Sequence, residues 1–239
     1  MNVLRSRFSV PVPVAAAALL ALTMLPVTPA AAGVCGETPY SGVDWSNCTK
    51  KHLMLQSSPL SGADLSGADF SLTDLSNADI SGANLEKATL IRAWFAGATG
   101  TKANFSRVEA YRSSFAKATL DNASFANAEL QRSDFNGASL VDVDFEKAEL
   151  GRTSFAEADI SGANFTLANL SRAVLTGATF DKPLNFDRAF MFQTRIEGVD
   201  LSGVQGLVQA QVDLACGDAE TKLPNGLKAS SEWPCAPEQ

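Results

Sequence analysis

The sequence predicts a solenoid whose chain turns a corner every five residues, and three observations carry that prediction. Every fifth residue from Leu60 to Phe180 is apolar except Gly100, and the residue two places earlier is usually small, most often Ala. Positions five apart are spread around a helix and alternate between the faces of a flat strand, so neither element can bury all of these centres at once. The register also survives an insertion: the centres resume after Asp181-Lys182-Pro183-Leu184-Asn185 as Phe186, Met191, Ile196 and Leu201. A bulge at Pro183 accounts for the extra residue, since a missing N–H is tolerable there and not in a central ladder.

Units such as Ala63-Asp64-Leu65-Ser66-Gly67, Ala83-Asn84-Leu85 and Ala163-Asn164-Phe165 resemble the pentapeptide-repeat family, whose pattern is A-(D/N)-L-X-X. The resemblance covers about two thirds of the chain, where consecutive units keep one register. It implies an all-β fold, a right-handed quadrilateral β-helix with four units per coil. Each centre and the small residue two before it then point inward, and the other three positions face water.

Stacking by twenty sorts the centres into faces. Phe95, Phe115, Phe135 and Phe155 share one face, and Phe105, Phe125, Phe145 and Phe165 share the opposite one. Two facing phenylalanine ladders flanked by Leu and Ile fill a narrow core, so this stripe is read as packing and not as a cofactor box. Gly100 and Ala110 leave room for a small cavity, partly offset by Val108.

Residues 1–32 read as a secretory signal peptide: Arg5 and Arg7, an apolar stretch, then Ala30-Ala31-Ala32 before Gly33. Residues 33–59 form an N-terminal cap and a degenerate first coil, with Cys48 in a small inward slot and Lys50 a poor match for a centre. Residues 60–201 form the β-helix, and 202–239 a C-terminal cap with a short helix expected from about Leu207 to Cys216 and Gly217 at its end. The expected location is secreted or periplasmic. Loss of the leader removes two of 19 bases and none of 26 acids, leaving 17 against 26, a formal net charge of −9. An acidic surface is a poor partner for nucleic acid or anionic lipid. No segment beyond the leader approaches a membrane span.

Cys35 and Cys48 lie beyond one end of the coils, Cys216 and Cys235 beyond the other. Seven or eight coils at roughly 4.8 Å separate the ends by on the order of 35 Å, so only the local disulfides Cys35–Cys48 and Cys216–Cys235 are feasible. The same distance excludes one four-thiolate metal site. Both bridges suit an oxidising compartment.

Chemistry has little to work with. His52 is the only histidine, no nucleophile is assigned to it by spacing, and carboxylates such as Asp64, Asp69, Asp74 and Asp79 fall on four different faces. No phosphate loop, dinucleotide fingerprint or metal spacing is present, so no enzyme, cofactor or metal is expected. Two surface features exceed the repeat background. Arg92, Arg112, Arg132, Arg152 and Arg172 are spaced by twenty, and Glu109, Glu129 and Glu149 precede three of them by three residues, which predicts a structural ion-pair ladder, with a binding stripe for an acidic ligand as the alternative. Near its start, Arg92, Trp94, Tyr111 and Arg112 form a candidate binding patch of aromatic and basic side chains. The expected function is a non-enzymatic scaffold or protein-binding module whose partner is another protein. The alternative implied by the resemblance is a DNA mimic that binds a topoisomerase (gyrase), which the signal peptide and the arginine column both oppose.

Overall fold

Each five-residue unit builds one side and one corner of a coil, and the hydrogen bonds show why its pattern is A-(D/N)-L-X-X. The computed structural model describes residues 33–236; the expected signal peptide lies outside the described residues. At each corner the N–H of the small residue donates to the preceding centre's carbonyl, as Ala68 does to Leu65 at 3.1 Å. The second corner residue has positive φ, for instance +63° at Gly67, the requirement of a type II turn. Lys and Arg also occupy this slot, where the N–H is held by the next coil: Arg92 donates to the Tyr111 carbonyl at 3.0 Å. The Asp or Asn before the centre accepts from the N–H two residues on, as Asp64 does from Ser66 at 3.1 Å, and thereby closes the corner.

Stacking is parallel and in register by twenty residues. Asp64 bridges Asn84, Asn84 bridges Asn104, and the same offset recurs on all four sides. Leu65 donates to the Asn84 carbonyl at 2.7 Å, while Asp64 donates to Val43 at 2.9 Å. Among the described residues the ladder consists of single bridges, one per side per coil. Corners every five residues leave no room for longer strands.

The core holds the predicted centres and small residues. Phe95, Phe115, Phe135 and Phe155 stack at 4.8–5.4 Å between ring centroids. Phe105, Phe125, Phe145, Phe165 and Phe186 form the second ladder, and the two meet edge to face, as Phe125 and Phe135 do at 5.6 Å. Phe186 joins across the insertion because the bridges shift to an offset of 21 there, Asn164 pairing with Asn185. Leu184 takes the buried small slot and Pro183 is exposed, so the extra residue is absorbed where the sequence places it.

The cavity expected near Gly100 is not formed. A methyl there would meet Leu120 at 2.8 Å and Ile80 at 3.1 Å, so the neighbouring coils already occupy the space. One side carries buried hydroxyls in the small slot. Ser133 donates to the Ala110 carbonyl at 2.7 Å and Thr153 to Leu130 at 2.8 Å, so these hydroxyls enter the core with a carbonyl to receive them.

The first coil lies where it is expected but pairs regularly: Asp44, Thr49, Met54 and Pro59 all bridge the second coil. Lys50 occupies a centre and is buried. Its ammonium donates to the Cys35 carbonyl at 2.7 Å and lies 3.5 Å from the Trp45 ring centroid. The long stem fills the slot while the ring face and one carbonyl receive the charge.

The C-terminal helix, α1 (Gln209–Leu214), is shorter than the expected 207–216. Gln211 explains its start: the side-chain oxygen accepts from the Val208 N–H at 2.8 Å, and its amide donates to the carbonyls of Phe186 and Ala189 at 2.8 and 2.9 Å. Its end follows from pairing, because Cys216 returns to the ladder opposite Arg195. Gly217 does not terminate the helix. It makes room for Trp233, whose ring a methyl at that position would strike at 2.5 Å. Cys35–Cys48 and Cys216–Cys235 are both bridged, each with a Cα separation of 5.4 Å.

Candidate functional site

Trp94 takes the outward slot that usually holds Asp, Asn, Ser or Thr, and both of its backbone groups are held by the preceding coil. Its N–H donates to the Thr73 carbonyl at 3.0 Å, and its carbonyl accepts from Leu75 at 2.7 Å. The indole is 45% exposed and Tyr111 37%. Both aromatics therefore project from a rigid frame and need no ordering of the backbone to be presented. Arg112 lies over the Tyr111 ring at 5.2 Å, while the Arg92 N–H bond to Tyr111 ties the two coils together. Arg92, Tyr111 and Arg112 thus share one corner. Trp94 stands around it on the adjoining side, and among the described residues no ring contact joins it to Tyr111.

The expected ion-pair ladder is not formed. Among the described residues no salt bridge within 4.0 Å joins Glu109 to Arg112, Glu129 to Arg132 or Glu149 to Arg152. Glu149 instead accepts from Asn169 at 2.8 Å. The pairs that do form identify the reason. Glu86, in the first corner slot, meets Arg107 of the next coil at 3.4 Å and Lys87 at 3.6 Å, and Glu146 in the same kind of slot meets Lys147 at 2.7 Å. Along the arginine column that slot holds Ile91, Tyr111, Gln131, Gly151 and Ser171, none of them acidic. The glutamates sit on the flat side before the corner, the arginines past it.

An open groove of about 350 Å³ follows the later part of the column, lined by Arg132, Gly151, Arg152, Arg172 and Phe192 among others. Arg172 donates from Nε to Gln193 at 2.8 Å. Phe190 and Phe192 are 50% and 40% exposed, with ring centroids 6.4 Å apart. They were legible without coordinates: Phe190 replaces the usual Asp or Asn, and Phe192 stands at a corner. His52 is exposed, and among the described residues no group of three His, Cys, Asp or Glu side chains is placed to hold a metal. No helix of the described residues is long and apolar enough to cross a membrane.

These features define a protein that presents side chains from a rigid coil. Its sequence matches the pentapeptide repeat region over residues 88–165 and pentapeptide repeats (8 copies) over residues 59–90. The chain is a pentapeptide-repeat protein.

Among solved structures it is similar to HetL, a pentapeptide repeat protein involved in heterocyst differentiation regulation from the cyanobacterium Nostoc sp. strain PCC 7120. That alignment has 23% identity and a TM-score of 0.43, covering 76% of this chain and 89% of HetL. A structure of QnrB1, a plasmid-mediated fluoroquinolone resistance protein, aligns at 18% identity over 75% of this chain and 85% of that one, with a TM-score of 0.39. A pentapeptide repeat protein from the Arabidopsis thaliana thylakoid lumen is 31% identical over 43% of this chain and 65% of its own, with a TM-score of 0.23. Comparison with curated proteins found no match.

Proposed function

We propose that this chain is a secreted or periplasmic, non-enzymatic scaffold that binds another protein through Arg92, Trp94, Tyr111 and Arg112. The observation that carries the reading is the pair of exposed aromatics, Trp94 and Tyr111, on coils whose corresponding slots are otherwise mostly small or polar. Aromatic and arginine side chains dominate binding energy where they are presented rigidly. Right-handed winding belongs to the same reading and rests on the family resemblance. Two disulfides favour an oxidising compartment. The DNA-mimic reading is disfavoured by the arginine column, which interrupts the negative surface that a mimic needs.

The test is capture from an envelope extract by the wild type and by Trp94→Ala/Tyr111→Ala. The double variant is expected to lose the partner while its melting midpoint stays nearly unchanged, because outward side chains contribute little to the core. Equal recovery by both would remove the patch. Intact mass tests the location separately: a chain starting at Gly33 and four hydrogens lighter than its reduced form fits secretion, whereas a full-length reduced chain in the cytoplasm contradicts it.

A further inference from the structure

Arg112, Arg132 and Arg152 stack one coil apart, about 4.8 Å per step, and among the described residues none reaches a carboxylate. Glu109, Glu129 and Glu149 form an exposed parallel column on the adjoining side. Each column repels itself along its length, and among the described residues neither is offset by a salt bridge. A partner that neutralises them must present opposite charges at the pitch of the coil, over several coils.

We propose that this face docks a second copy of the same chain, side by side and parallel, about a two-fold axis running along the solenoid between the two columns. That operation exchanges the columns without changing level, so each arginine of one copy faces a glutamate of the other. The pitch matches because both copies have the same coil rise. A perpendicular two-fold axis would set arginine against arginine, so the pairing is parallel.

Two further observations fit the same axis. The glutamate column continues through Asn169 to Phe190 and the arginine column through Arg172 to Gln193, while the corner column between them, Gln131, Gly151 and Ser171, runs on to Phe192. Exchange of the columns therefore sets Phe190 of each copy opposite Gln193 of the other, with the exposed Phe192 in the corner slot between the two columns. Midway along the corner column Gly151 has no side chain, which opens the groove and lets the two surfaces approach. A linear polyanion would satisfy the arginines alone and be repelled by the neighbouring glutamates. A second copy uses both signs. This surface shares Arg112 with the Trp94 and Tyr111 patch, but the variants below lie on later coils and leave that patch intact.

The test is sedimentation of the disulfide-bonded chain at about 0.01 M and about 1 M salt, between which the Debye length falls from about 30 Å to about 3 Å. Dimers at low salt that dissociate at high salt are expected. Glu129→Arg/Glu149→Arg and Arg132→Glu/Arg152→Glu should each weaken self-association by at least about tenfold, since like charges then face each other. An equimolar mixture of the two should form heterodimers. Corner φ values of +61° and +59° at Arg132 and Arg152 do not forbid the change, because Glu157 natively adopts +60°. Should these variants misfold, Arg132→Gln/Arg152→Gln is expected to weaken the dimer without reversing charge. A wild type that stays monomeric at low salt overturns the proposal, as do variants that dimerise like the wild type or a mixture that stays monomeric. Monomers that bind polyglutamate through Arg132 and Arg152 would assign the column to polyanions instead.

Discussion

The two ends of the solenoid present opposite halves of the same ladder, and they are closed differently. Each side of the front edge offers two carbonyls and one N–H, whereas each side of the back edge offers two N–H groups and one carbonyl. At the front, Gly33 and Val34 donate to Ser46 and Asp44 on a single side, and Pro59 has no N–H to leave unpaired on another. At the back, Gln193, Ile196 and Leu201 donate to the carbonyls of Leu214, Cys216 and Lys222, and Gly198 donates to the Asp218 carboxylate. Among the described residues the donor-rich edge is therefore covered and most of the carbonyl-rich edge has no backbone partner. Closing one end suffices, because head-to-tail growth needs the front of one copy and the back of another.

Phe135→Ala gives the largest expected effect and separates edge exposure from instability. It removes a ring stacked on Phe115 and Phe155 and in edge contact with Phe125 and Phe145. Rigid coils cannot close the void, so denaturant melts should show a loss of roughly 3–5 kcal/mol. Its assembly state should match the wild type, since both ends remain as they were. New association at unchanged caps would show that instability, not edge exposure, drives assembly.

Breaking the caps should produce the converse. Cys216→Ser/Cys235→Ser frees the segment that covers the donor edge, and removal of such a bridge costs about 2–4 kcal/mol. Light scattering should show elongated association before global unfolding. Cys35→Ser/Cys48→Ser should cost a similar amount and leave the back edge covered, so no association follows. Equal behaviour of the two pairs would remove the asymmetry between the ends.

Gln211→Ala should have a smaller and local effect. It strips the donor from the Ala189 carbonyl and the acceptor from Val208 while leaving the disulfide in place. A loss of about 1–3 kcal/mol is expected, with faster hydrogen exchange confined to α1 and the segment after it. An unchanged exchange pattern would mean that the bridge alone holds the cap.

The coil register was legible because burial repeats it: centres such as Leu65 and Phe135 and their small partners obey one period, and a single misplaced residue at Pro183 could be located against it. The disulfides were legible because coil rise and bridge length leave one pairing. The arginine partners were not. Spacing by three suggests contact on a helix, but here a corner intervenes, and the slot that meets a corner base belongs to the neighbouring coil, as Glu86 and Arg107 show. Lys50 was equally opaque, since only the fold places Trp45 beneath its ammonium. Gln211 reads as one polar residue in a short helix until the carbonyls of Phe186 and Ala189 are brought to it.

Titration of the two ends provides the finest comparison, because a lysine at each is perturbed in the opposite direction. Burial lowers the pKa of Lys50 below the usual 10.5. Lys222, held by a 2.8 Å hydrogen bond to Asp200 at the exposed back cap, is raised above it, and Asp200 falls to about 2. Below its folded pKa, Lys50 is charged in both states and the desolvation penalty acts in full. As pH rises from that value towards 10.5, the unfolded chain binds more protons than the folded one, so Lys50 makes the protein more stable with rising pH. Lys222 does the reverse: its contribution is complete below 10.5 and is lost as pH rises through its folded pKa. Subtracting the melts of Lys50→Met and Lys222→Met from the wild type isolates each residue from the other alkaline groups. Over roughly pH 8 to 11 the two differences should slope in opposite senses, rising for Lys50 and falling for Lys222. A falling difference for Lys50 would mean that the Trp45 ring and the Cys35 carbonyl stabilise its charge more than burial disfavours it, and the front cap would then be an ion site like the back.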